Sequence, residues 1–229
     1  MAQDEGAKAV IAAITSRRSV RGFRPDPVPR GMIEEIIRAA ARAPSGTNMQ
    51  PWQVHVLTGA SKDRLTDAIM AERSSGAPDP RGEYAYYPAV WTEPYLARRR
   101  AVGINLYTLL GIPKGDAAGA RAWHDQNFRF FGAPAGLIFT MDRHLERGSY
   151  LDVGMFMQNI MTAARGFGLD TCAQAAFCGY HMTIRRVLGL PEERLVLCGM
   201  ALGWADPDAV ANQLETDRAP LDSYVTFAD

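Results

Sequence analysis

Two polar segments at the two ends of one amphipathic run constrain this chain most. The first is Arg17-Arg18-Ser19-Val20-Arg21, and the second is Ala43-Pro44-Ser45-Gly46-Thr47-Asn48-Met49-Gln50-Pro51-Trp52. Between them, from Pro29 to Arg42, the residues Met32, Ile33, Ile36, Ile37 and Ala40 recur at helical spacing. The first segment packs guanidinium groups around a hydroxyl. Arginine offers planar paired donors and a fixed charge, which suits a phosphate. The same arginines would equally serve as cations at the C-terminal end of a preceding helix. The second segment is rich in small residues and amides. It suits close backbone approach to a flat ring with polar edges, although Pro, Ser, Gly and Asn are also ordinary loop residues. The pair at this separation is more specific than either segment alone.

Composition narrows the classes of partner. The chain has 229 residues, enough for a full core in one domain. Its formal net charge is zero, so it lacks the broad basic footprint that nucleic acid or an anionic membrane would require. The most apolar stretch, Leu151 to Leu169, is interrupted by Asp152, Gln158, Asn159 and Arg165, which argues against a membrane span. Cys172, Cys178 and Cys198 have no metal-ligand spacing, and His55, His124, His144 and His181 are scattered, so no metal is expected. The odd cysteine count, with no signal peptide before it, fits a reducing cytoplasm.

Taken in order, the pattern predicts a helix over 5–18, then an extended connector forced by Pro25, Pro27 and Pro29. A strand follows over 52–57, ended by Gly59, and a helix over 62–72 with Ser61 as N-cap. Residues 73–94 mix Gly76, Pro78, Pro80 and Gly82 with Tyr84, Tyr86, Tyr87 and Trp91. So long and aromatic a loop is either a lid over a site or a loop packed on the surface. Helices are expected over 95–110 and 117–131, the second stopped by Gly132-Ala133-Pro134, with a buried strand over 135–141. Arg98, Arg99 and Arg100 form a solvated face or, more sharply, place one arginine on a substrate carboxylate. Residues 151–167 are apolar nearly all round, which predicts a buried helix. Its methionines also suit an adaptable partner surface. A short strand and loop over 169–176, a helix over 182–188 and an apolar strand over 194–202 complete the body. The tail 204–229 shows no periodicity before Tyr224-Val225-Thr226-Phe227.

Both polar segments, together with Gly132-Ala133-Pro134, Gly166-Phe167-Gly168-Leu169-Asp170-Thr171-Cys172, Gly203-Trp204-Ala205-Asp206 and Arg218, make the chain resemble the nitroreductase family of flavoproteins over nearly its whole length. The resemblance implies an α+β fold, a central and mostly antiparallel sheet surrounded by helices. It implies one FMN-binding domain over 1–229, with 73–94 as the lid and 204–229 as a C-terminal arm that crosses to the partner of an intertwined homodimer. FMN would lie at the dimer interface. By resemblance, Arg17, Ser19 and Arg218 would hold its phosphate, Arg18 would also belong to the cofactor site, and Arg21 and Asn127 would lie near the pyrimidine edge. Ser45, Asn48 and Gln50 would hold ring and ribityl edges. The backbone of Ala173, Gln174 and Ala175 would reach the flavin N5; Ala175-Ala176 stands where many relatives carry Glu-Gly, which alters the pocket wall and leaves the main-chain donor.

No protein nucleophile is then needed, because FMN N5 carries the hydride. The implied reaction is ping-pong reduction of a nitroaromatic or related small aromatic acceptor, nitrobenzoates included, with NADH or NADPH as reductant. Other chemistry on the same cofactor stays open: reductive dehalogenation, with Glu93 and Arg98 as candidates for an amino-acid clamp, quinone or flavin reduction, and flavin cleavage. So does a flavin-binding protein without turnover.

Overall fold

The computed structural model describes residues 2–76 and 79–228; Met1, Pro78 of the expected lid and Asp229 of the expected arm lie outside them. Its centre is one antiparallel sheet of four strands: β1 (Gln53–Thr58), β2 (Ala135–Asp142), β3 (Asp170–Gln174) and β4 (Arg194–Gly203), in the order β1-β2-β4-β3. The two inner strands are buried almost end to end, not alternately, because helices cover both faces of the sheet.

Residue alternation sends Leu137, Phe139 and Met141 of β2 to one face and Ile138 to the other. On the first face lie α2 (Arg30–Ala40) and α6 (Arg147–Gly166), contributing Ile33, Ile36, Val153, Phe156 and Ile160. Trp52, at the end of the second polar segment, stacks on Phe156 with ring centroids 4.9 Å apart. On the second face lie α3 (Ala60–Ser74) and α7 (His181–Leu188), with Leu65, Ile69 and Ile184 around a group of rings, Phe128, Phe130, Phe177 and Tyr180. Phe130 and Phe177 stack at 4.7 Å. Gly199 makes room for this group, since a Cβ there would stand 2.4 Å from the Phe177 ring.

Several elements depart from the sequence pattern. The first helix, α1 (Ala2–Ser16), ends before the arginines. They leave helical geometry because Ser19 bridges to Thr171 of β3 and the Val20 N–H donates to the Thr171 carbonyl at 3.1 Å. Ser61 does not cap α3; its hydroxyl bonds back to the Thr58 carbonyl at 2.8 Å and accepts from the Thr58 N–H, while Gly59 precedes the helix at φ 49°. The helix expected over 117–131 divides into α5 (Ala117–Asp125) and a 3-10 segment, Gln126–Gly132. There Phe130 and Phe131 take left-handed φ values of 51° and 53°, strain that deep burial of both rings sustains. α6 buries only one side in a single chain, leaving Leu151 72% exposed and Met155 38% exposed. The apolar pattern around this helix therefore includes a face that its own chain does not cover. No strand forms over 224–227. α4 (Tyr95–Leu109) buries only Leu106 and otherwise stands open.

Candidate functional site

The arginine segment is stitched along the outer edge of β3. In such an extended run, alternate side chains share a side. Arg17, Ser19 and Arg21 converge on Cys172: burial pushes its thiol pKa up, while the Arg21 and Arg17 charges and a hydrogen bond with Ser19 pull it back. Arg18 turns elsewhere and donates to the Asn212 carbonyl at 2.7 Å. Asn212, 5% exposed, clamps the whole segment. Its Oδ1 accepts from the Arg21 N–H at 2.7 Å, and its Nδ2 donates to the carbonyls of Gly22 and Asp206 at 2.8 and 2.9 Å. The fit is close: a Cβ on Gly22 would lie 2.3 Å from the Ala209 methyl.

A cavity of about 950 Å³ opens beside this edge, between Arg21, Asn127, Ala173 to Ala176, and α4 with Tyr86 and Tyr87. Because Thr171 bonds outward to Val20, alternation along an antiparallel strand also turns the main chain of Ala173 outward. Ala173 is the exposed residue of β3, and among the described residues nothing pairs with its N–H. Gln174 is buried; its Nε2 donates to the Asn127 carbonyl at 2.7 Å, and its Oε1 has no partner among the described residues. The Asn127 amide donates to the His124 carbonyl at 3.0 Å. The result is a concave wall with an outward main-chain donor and a cationic corner, with the buried Gln174 amide oxygen behind it.

The second polar segment lies elsewhere in the chain. Its Gly46 N–H donates to the Asp152 carboxylate at 3.3 Å, near the start of α6. Ser45 Oγ accepts from the Gln50 N–H at 3.0 Å, and the Gln50 amide donates to the Asn48 carbonyl at 3.2 Å. Thr47, Asn48 and Gln50 all have left-handed backbones, at φ 48°, 60° and 51°. Such strain in an exposed loop is a mark of functional sites. The arginine segment sits at the other end of α6, where Arg165 donates to Ser16 Oγ at 3.2 Å and to the Asp170 carboxylate at 2.6 Å. From Asp152 to Arg165, at 1.5 Å per residue, is roughly 20 Å. One chain thus gathers Arg17, Ser19, Arg21, Asn127, Ala173, Gln174 and Ala175, but not Ser45, Asn48 and Gln50. Arg218 is exposed on the tail, and among the described residues it bonds locally, to Thr216 Oγ1 at 3.0 Å and to the carbonyls of Thr216 and Asp217 at 3.2 and 2.7 Å.

The aromatic loop over 73–94 is pinned at its base. Arg73, 4% exposed, donates to Asp125 at 2.6 Å, to Asp79 at 3.0 Å and to the Tyr180 hydroxyl at 2.8 Å. Glu83 accepts from Arg143 at 2.6 Å and Arg185 at 3.1 Å, with His181 Nδ1 at 3.5 Å. Tyr84 donates to the Leu197 carbonyl at 2.5 Å. Asn212, Asp152, Arg73 and Glu83 escaped the sequence reading, since each is a single polar residue whose partners are distant in sequence.

A helix-covered antiparallel sheet, with an arginine-rich segment sewn to its edge strand beside a polar-walled cavity, defines an α+β protein with a candidate cofactor site. The chain belongs to the nitroreductase family: the model described as "Nitroreductase family" matches residues 14–204. It is 43% identical to the chloronitrobenzene nitroreductase of Comamonas testosteroni, over 93% of this chain and 94% of that protein. It is 40% identical to the 4-nitrobenzoate reductase of Pseudomonas putida, over 94% of each. Among solved structures, it superposes on the FMN and NADPH-dependent nitroreductase NfnB from Sphigopyxis sp. strain HMH with a TM-score of 0.93. The two are 37% identical, over 96% of this chain and 99% of that one. Among the described residues, no helix is long and apolar enough to cross a membrane.

Proposed function

We propose that this chain is an FMN-dependent nitroarene reductase that takes its electrons from NADH or NADPH and works as a cytoplasmic homodimer. The observation that carries the reading is the outer edge of β3, where the Ala173 N–H, unpaired among the described residues, lies beside the segment of Arg17, Ser19 and Arg21. The relatives' names, which include chloronitrobenzene and 4-nitrobenzoate reduction, support it. FMN fits the residues present: two cations and a hydroxyl suit its phosphate or an electron-rich ring edge. The exposed Ala173 N–H and the orphaned Gln174 Oε1 suit the polar edge of a flavin. FMN would supply the hydride chemistry that no side chain here provides. Arg17 and Ser19 would hold the phosphate, Arg21 would place positive charge near the pyrimidine end, and Asn127 and Gln174 would orient the ring. Tyr86 and Tyr87 would exclude water from above.

The incompleteness of the site in one chain supports the dimer. The Asn48 loop stands roughly 20 Å along α6 from the arginine segment, so a second copy would supply it. Uncovered apolar side chains support a partner: Val10, Ile11 and Ile14 on α1, Leu151 and Met155 on α6, and Leu221, Tyr224 and Phe227 on the tail. In this reading residues 1–229 form one domain, residues 73–94 are the lid, and residues 204–229 are an arm that carries Arg218 to the partner's cofactor.

Anaerobic spectroscopy tests the activity. The purified protein should be yellow, bleach on addition of NADH or NADPH, and recover its colour with nitrobenzene. A protein that takes up no FMN, or whose flavin neither nicotinamide bleaches, would refute the proposal.

A further inference from the structure

The cavity wall opposite the β3 edge carries a charge pattern that the cofactor reading leaves unused. Arg99, Arg100 and Lys114 line it, facing Arg21 on the β3 side, and no Asp or Glu lines the cavity. The chain as a whole balances 25 basic against 25 acidic residues, so an acid-free wall is a local arrangement and not a reflection of composition. Among the described residues, none of these cations has an ion-pair partner. His124, also in the wall, adds no charge near neutral pH, because burial and the Arg73 cation push its pKa down.

Arg99 is also placed by aromatic rings. Its guanidinium lies over Trp91, 5.0 Å from the ring centroid. Trp91 packs on Tyr87 at 5.5 Å, Tyr87 on Tyr86 at 4.7 Å, and Tyr86 on Tyr84 at 6.3 Å, where Tyr84 is fixed to β4. A guanidinium stacked on an indole keeps its in-plane N–H donors free. The wall therefore offers flat apolar plates next to unpaired, fork-shaped donors. A cleft lined by one sign of charge also concentrates ligands of the other sign.

We infer that Arg99 and Arg100 form an oxyanion seat for the acceptor, and that the acceptor is an aromatic ring bearing a carboxylate, such as a nitrobenzoate. The ring would lie against Tyr86 and Tyr87 while its carboxylate meets the arginines. This rests on the reductase reading and selects among its acceptors. The 2′-phosphate of NADPH carries the same oxyanion chemistry and is the other source to be distinguished.

The test compares 4-nitrobenzoate with the neutral, similarly sized 4-nitrobenzamide, each with NADPH and with NADH, in the FMN-loaded wild type and the R99Q/R100Q variant. The expected result is a fall of about tenfold or more in the nitrobenzoate-to-nitrobenzamide ratio of kcat/KM, carried by KM, as for loss of a charged hydrogen bond. An unchanged ratio overturns the inference. So does a loss confined to the NADPH-to-NADH ratio, which moves the seat to the reductant. A calorimetric titration of the same proteins with benzoate and benzamide reads the seat without turnover. Wild type should prefer benzoate, less so at high salt, and R99Q/R100Q should not. If neither nitro compound is reduced, the reductase reading fails, and the benzoate preference still decides whether the seat exists.

Discussion

Asn212 is the residue on which the arginine segment depends. Its amide meets three main-chain groups of that segment and its surroundings, and its own carbonyl holds Arg18. Asn212→Ala leaves buried donors and acceptors unpaired, at about 1–3 kcal/mol of stability. It should also loosen FMN binding, because Arg21 loses its anchor. Asn212→Asp keeps an acceptor for the Arg21 N–H and should restore part of the FMN affinity in a fluorescence titration. Arg17→Ala should weaken FMN binding by about 1–3 kcal/mol, the scale of a charged hydrogen bond; unchanged affinity would remove Arg17 from the phosphate. Glu83 gives a pH signature. Burial alone would raise its pKa, but hydrogen bonds from Arg143 and Arg185 and the neighbouring His181 hold it below its ordinary 4.5. A depressed carboxylate stabilises the fold above that value, and the contribution is lost as pH falls through the folded pKa. Glu83→Gln should therefore lower Tm near pH 7, and its deficit against wild type should shrink below pH 4.5. A deficit constant with pH would mean that Glu83 contributes packing and not charge.

At the scale of elements, the sequence was most legible where one period ruled. The α2 stripe of Ile33, Ile36 and Ala40 is buried as its spacing predicts, and the unbroken apolar runs of β2 and β4 lie inside the sheet. It was least legible where tertiary bonds replace local ones. Nothing local predicts that Ser19 will pair with Thr171, or that the chain after Asp125 will tighten into a 3-10 segment to bury Phe128, Phe130 and Phe131. α6 carries both lessons. Its apolar pattern was plain, but which face meets its own sheet was not. Phe156, 1% exposed and stacked on Trp52, belongs to the inner face. Phe156→Ala should cost about 3–5 kcal/mol in chemical denaturation. Leu151, 72% exposed in one chain, belongs to the outer face. Leu151→Glu should leave the fold intact and shift sedimentation toward monomer; an unchanged dimer would move the interface off α6.

For the whole molecule, the candidate site was half legible. The residue types in both polar segments pointed to one cofactor, and the residues around β3 do assemble. The distance between the segments was not legible, because the length and direction of α6 set it. If a C2 dimer joins the arginine segment of one chain to the Asn48 loop of the other, each cofactor needs both copies. Subunit complementation tests this most directly. R17A and N48A proteins, each impaired in FMN binding, are mixed, unfolded and refolded together, and bound flavin is measured. Random pairing places one intact site in each mixed dimer, so about a quarter of the wild-type flavin content should return. If both segments served the same chain's cofactor, every site in the mixture would carry a lesion, and no recovery above the separate proteins would contradict the two-chain site.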